Sequence, residues 1–170
     1  EVSEALAQQA AVASVLQAIS RSAFDIDAVL NTLIEQSTIL LGGGGSEISL
    51  LEGDELVIRA AYGPGGREAQ ADYVRGARYA LNDPGLRAST VREGRWKAGT
   101  FVPGDPRLAE ASEVDRGYFT RFVAGPFSQL FVPLSRGSGV IGSLSVSVDG
   151  EHRFSPAEVA LLETFADQAV

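Results

Sequence analysis

A chain of 170 residues, 45% of them hydrophobic, suffices for one domain with a real core and leaves no room for a separate catalytic domain of ordinary size. A net charge of −8 and a pI near 4.6, with no basic run, exclude nucleic acid as a natural partner, because such a surface repels phosphate. Cysteine is absent, which removes disulfides, thiolate nucleophiles, thioether-linked cofactors and cysteine-based zinc sites together.

No apolar run approaches the ~20 residues that span a bilayer, so membrane insertion by this segment is not expected. Glu1-Val2-Ser3-Glu4 lacks the basic start of a signal peptide, and a cysteine-free chain suits a reducing cytoplasm. Methionine is absent too, initiator included, so the chain reads as a piece of a longer protein.

Val2, Leu6, Val12, Leu16 and Ile19 recur at helical spacing and predict a first helix over 2–20, interrupted at Ser20-Arg21-Ser22. Asp25 is the expected N-cap of a second helix whose stripe runs from Ile26 through Leu30, Leu33 and Ile34 to Leu41. Gly42-Gly43-Gly44-Gly45-Ser46 reads as a C-cap and loop, although the same string is also a common engineered spacer. Alternating runs over 47–51 and 56–62 about Glu52-Gly53-Asp54 predict a hairpin. Residues 63–80 read as irregular, and a short helix is expected over Leu86–Arg92.

Trp96–Val102 is a candidate strand, and residues 103–127 read as a long loop with a helical turn near Val114–Phe122. Leu130–Leu134 and Val140–Val148 form a second predicted hairpin about Arg136-Gly137-Ser138-Gly139. In its second strand Leu144, Val146 and Val148 alternate with Ser143, Ser145 and Ser147, so one face is expected buried and the other polar. Pro133 marks an edge or bulge, and Gly142 marks sheet geometry or a close approach. Ser155-Pro156-Ala157-Glu158 has the pattern of a capping box and opens the last helix. The class is α+β: an antiparallel sheet with helices on one side and irregular segments on the other.

Phe131-Val132-Pro133-Leu134, Gly139 to Val146, Phe154 to Glu158, Leu161-Leu162 and Phe165 to Ala169 together resemble the C-terminal half of GAF domains. Val15 to Ser22 followed by Leu30 to Glu35 is similar to the start of GAF modules in bacterial histidine kinases and cyclases. The resemblance implies a GAF/PAS-like sheet whose N- and C-terminal helices pack together, with residues 1–22 a signalling and dimerisation helix and 23–170 the GAF domain. It also implies a non-catalytic sensor of a larger signalling protein, such as a two-component histidine kinase or a cyclase. Such a domain binds a small molecule between sheet and middle segment, or binds nothing and only dimerises and relays.

Cysteine-linked bilin and the cysteine chemistry of GAF-type methionine sulfoxide reductases are excluded. Haem is disfavoured, because the one histidine, His152, falls in a turn expected to be solvated; Tyr118 and Tyr79 are the remaining ligand candidates, with nothing to recommend them. The Asn-Lys-Phe-Asp-Glu-type signature of cyclic-nucleotide-binding relatives has no match. Asp83, Asp105, Glu113 and Asp115 read as a solvated acidic surface.

The middle segment gathers Trp96, Phe101, Tyr118, Phe119, Phe122 and Phe127, with Arg78, Arg107, Arg116 and Arg121 adding charge suited to an anionic ligand. The plainer reading gives those aromatics to the segment's own core. The candidate ligand-binding residues are Trp96, Phe101, Tyr118, Arg121, Phe122, Ser128 and Ser145. The apolar stripes of the first and last helices are expected to form a shared homodimer interface, through which ligand occupancy would be passed on.

Overall fold

The computed structural model describes residues 2–21 and 26–170. Six strands form one fully antiparallel sheet in the order β3-β2-β1-β6-β5-β4. They are β1 (Gly45–Glu52), β2 (Glu55–Tyr62), β3 (Arg78–Ala80), β4 (Lys97–Phe101), β5 (Phe127–Arg136) and β6 (Gly139–Asp149). One face carries α1 (Val2–Arg21), α2 (Ile26–Leu40) and α6 (Pro156–Gln168). The other carries α3 (Glu68–Val74), α4 (Leu86–Glu93), a 3-10 turn (Pro106–Glu110) and α5 (Glu113–Phe122).

The first face is an apolar core. Leu33 and Ile34 of α2 and Leu162 and Phe165 of α6 meet Ile48, Leu130, Val132, Leu144 and Val146 from the strands, all almost fully buried. Ala11 and Val15 bring α1 into the same cluster, where it touches α2 and α6. The capping box forms as its sequence specifies: the Glu158 N–H donates to Ser155 Oγ at 3.1 Å, and the Ser155 N–H donates to Glu158 Oε1 at 2.9 Å. Ser22 to Asp25, including the N-cap expected at Asp25, lie outside the described residues.

The glycine string is a built turn. Gly42 has φ 61°, the Gly43 N–H closes on Thr38 O at 2.9 Å, and the Gly44 N–H reaches Ser147 O at 2.7 Å. A Cβ on Gly43 would lie 2.8 Å from both Ser147 O and Val146 Cγ2, so the turn is packed against β6 and is not a slack spacer. Gly142 is also a close approach, for a Cβ there would press into the Ser49 carbonyl and sit 3.1 Å from Leu50 Cα. Pro133 does lie at a local edge: β4 pairs with β5 only as far as Phe131, so beyond it β5 has β6 alone beside it.

Three expectations are corrected. Residues 63–80 are not irregular, since they form α3 and the three-residue strand β3. The loop expected over 103–127 carries a 3-10 turn as well, and its helical turn near Val114–Phe122 is the full ten-residue α5. α3 and β3 are short, so no apolar stripe announces them, and α5 buries no residue fully, so only part of it is readable. The serine face of β6 is polar yet buried: Ser143 and Ser145 are covered by the second helical layer, and Ser143 Oγ bonds Ser49 Oγ at 2.8 Å.

Candidate ligand cavity

Between the sheet and the second helical layer lies a cavity of about 270 Å³. Period-two alternation aims Phe127, Gln129 and Phe131 of β5 into it, while Leu130 and Val132 point to the opposite core. β1 contributes Glu47, β6 contributes Ser147, β3 contributes Tyr79 and β4 contributes Phe101. The roof comes from Leu86 and Arg87 of α4, Arg107 and Leu108 of the 3-10 turn, and Asp115, Tyr118 and Phe119 of α5. A recess of about 30 Å³ adjoins it through Glu47, Tyr118, Gln129 and Ser147, and Ser145 lines that recess.

The cavity has two chemically distinct ends. At one, Phe101, Phe119 and Phe127 pack with ring centroids 5.2 to 6.0 Å apart. At the other, Arg87 is 8% exposed, donates to Glu47, and lies 4.3 Å from the Tyr79 ring centroid and 5.4 Å from that of Phe131. The Tyr79 hydroxyl donates to Asp115 Oδ1 at 2.9 Å. Burial opposes charge on Arg87, but Tyr79, Glu47 and Asp115 outweigh it, and the guanidinium stays above its ordinary value. Burial pushes the Tyr79 phenol well up and the Tyr118 phenol up to about 12, so both remain neutral donors at physiological pH.

Of the residues singled out in the sequence, Phe101, Tyr118, Phe119, Phe127 and Arg107 line the cavity, and Ser145 lines the recess. Of the other candidate ligand residues, Trp96, Arg121, Phe122 and Ser128 stand apart from it. Trp96 is 46% exposed and borders a separate shallow depression with Leu86, Arg95, Lys97 and Ala98. Arg121 is exposed with its guanidinium 4.9 Å from the Tyr73 centroid, and Phe122 packs on Tyr73 and Tyr118 outside the cavity. Ser128 faces the other side of the sheet, where its hydroxyl bonds Thr100 Oγ1, the Gly150 carbonyl and the His152 N–H. It sits one residue out of phase with Phe127 and Gln129, and that parity decides its side.

The arginines are already engaged. Arg107 is doubly bonded to Asp105, at 3.0 and 2.6 Å, and donates to Thr100 O; its hydrogen bonds hold the Asp105 carboxyl down at about 2. Arg78 pairs with Glu52 and Glu55 at the surface, and Arg116 donates to Ala111 O. Asp115 and Asp83 line the cavity and Asp105 is buried, so of the four acidic residues read as solvated surface only Glu113 is fully exposed. Sequence reasoning passed over Glu47 and Arg87. Their signal was available: Glu47 shares a strand face with Ser49, and α4 reads Leu-Arg-Ala-Ser-Thr-Val, whose polar residues interrupt any apolar stripe.

His152 lies on the opposite face of the sheet from the cavity, 3.0 Å from Glu158 and edge-on to Phe154. Among the described residues no cluster of three or more His, Asp or Glu could hold a metal ion. No described helix is long and apolar enough to cross a membrane.

A family model for the GAF domain matches residues 23–170, all of the sheet and every helix but α1. The chain belongs to the GAF domain family.

Solved GAF domains share its fold at low identity. That of a phosphoenolpyruvate-protein phosphotransferase from Coxiella burnetii superposes with a TM-score of 0.72 at 16% identity, covering 97% of this chain and 91% of that one. The corresponding domain from Acinetobacter gives 0.67 at 19%, covering 95% and 89%. A free methionine-R-sulfoxide reductase from Neisseria meningitidis, solved with its substrate, gives 0.64 at 18%, covering 92% and 83%. No curated protein matches the chain. GAF domains are a sensory and regulatory family of signalling proteins, and this chain is one of them by fold and family.

Proposed function

We propose that this GAF domain is a non-catalytic sensor that binds a small organic ligand in the cavity and relays occupancy through α1 and α6 to an output domain. The observation that carries the reading is the cavity itself, whose apolar aromatic end and convergent polar end make the usual constitution of a small-ligand site. A solved relative of the fold, the reductase from Neisseria, holds its own small substrate. Residues 1–22 would serve as the signalling helix, since α1 meets α2 and α6 on the far side of the same strands that line the cavity. A ligand that prefers one arrangement of the roof would bias those helices through the sheet.

The test is thermal-shift screening against nucleotides, amino acids, organic acids, haem and bilins. A ligand at about 100 times its Kd raises stability by about 2.7 kcal/mol. The rise should vanish in Phe119→Ala and persist in Trp96→Ala, because Trp96 lies off the cavity.

A second reading has its own observation. Leu6 of α1 is 59% exposed and Val170, just past α6, is 43% exposed, which favours a ligand-free homodimerisation and relay module of a histidine kinase or nucleotide cyclase. A stable dimer by sedimentation, with no ligand response across the panel, would select it.

A further inference from the structure

We infer that the cavity is shaped for a small zwitterion with an apolar body, an α-amino acid carrying an aliphatic or aromatic side chain; this rests on the cavity being a ligand site. Arg87 supplies the first half. A guanidinium has five N–H donors in a fixed fork. Among the described residues the only acceptor for this one is Glu47, although the side chain is buried and lines the cavity. Its remaining donors are open to the cavity and are not sealed in the protein, and a bound carboxylate would take two at once.

Tyr79 fixes the second half beside the first. Its ring face carries Arg87, and its hydroxyl donates to Asp115 Oδ1 at 2.9 Å. The second carboxylate oxygen of Asp115 has no described partner, so a ligand ammonium finds an anion one tyrosine away from the guanidinium. The apolar body then lies toward Phe101, Phe119 and Phe127.

Charge separates this occupant from simpler ones. Glu47 already balances the charge of Arg87, Asp105 balances that of Arg107, and Asp83, Glu110 and Asp115 add negative potential, so a phosphate or dicarboxylate meets too little positive charge. A plain amine leaves the Arg87 donors unanswered. A ligand bearing both charges answers both ends within about 270 Å³.

Calorimetric titration of the 170-residue chain at pH 7 with L-leucine, L-phenylalanine, 3-phenylpropanoate and 2-phenylethylamine tests it. One or both amino acids should bind, and each phenylalanine analogue lacking one charge should bind about 10- to 100-fold more weakly than its parent, the worth of a lost charged hydrogen bond. Asp115→Asn should weaken the amino acid while leaving 3-phenylpropanoate unchanged; this half-buried site keeps an acceptor for Tyr79, so folding is preserved. Either analogue binding as tightly as phenylalanine overturns the inference. Failure of both amino acids, with another class raising the melting temperature in the screen, overturns it and leaves the ligand-sensing reading standing. No response to any class removes both.

Discussion

The two faces of the sheet are built on different rules. Toward α1, α2 and α6 lies the larger apolar cluster, built by the longer helices, with polar bonds such as Thr38 to Ser46 at its margin. Toward α3, α4 and α5 the helices are short, the serines of β6 and β1 bond one another, and a buried ion pair borders a cavity. The first layer holds the larger apolar cluster; the second has a smaller one of Leu56, Ile58, Val74 and Val91 with small neighbours, and beside it buries polar groups, which gain little net stability but fix positions and leave space.

The sharpest test of that contrast is a pair of truncations. Phe165→Ala, in the larger apolar cluster, should cost about 3–5 kcal/mol in urea unfolding. Phe119→Ala, half-buried at the cavity, should cost far less, and equal losses would erase the distinction between the layers.

Next in size is the ion pair. Glu47→Ala strands the Arg87 cation and should cost about 3 kcal/mol. The double variant Glu47→Leu with Arg87→Met should recover most of this, because two apolar groups leave no charge unpaired. Failure to recover would mean that the pair holds the layer together in its own right.

The smallest expected effect lies back in the first layer. Ser155→Ala should cost about 1 kcal/mol by opening the capping box. Burial would raise the Glu158 carboxyl, but the Ser155 N–H and His152 outweigh it and hold it below the ordinary glutamate value. A depressed carboxyl contributes stability above its unfolded pKa of about 4.3 and loses it as pH falls through the lower folded value. The wild-type advantage over Glu158→Gln should therefore be full at pH 6 and gone in strong acid, as followed by circular dichroism.

The same contrast explains what could be read from the sequence. The first layer was legible because its helices repeat Leu30-Leu33-Ile34 and Val159-Leu162-Ala166, and because Ser155 and Glu158 stand at capping-box spacing. The second was legible only in part: the helix over Leu86–Arg92 and the helical turn near Val114–Phe122 were readable, but a three-residue strand and the seven-residue α3 are too short for a period to register. The aromatic excess did point to Phe101 and Tyr118, which line the cavity, but it could not exclude Trp96. Glu47, Arg87, Tyr79 and Asp115 come from four separate elements, and only the fold brings them together.

The ends of the sheet carry a consequence for aggregation. Its border strands are β3, with three residues, and β4, with five that include Lys97 and Gly99. Short borders bearing a lysine and a glycine offer little unpaired backbone for another chain to extend. At these two short borders, then, sheet-to-sheet growth into fibrils is disfavoured, and the stretch of β5 beyond Phe131 is interrupted by Pro133, which cannot donate to a new neighbour.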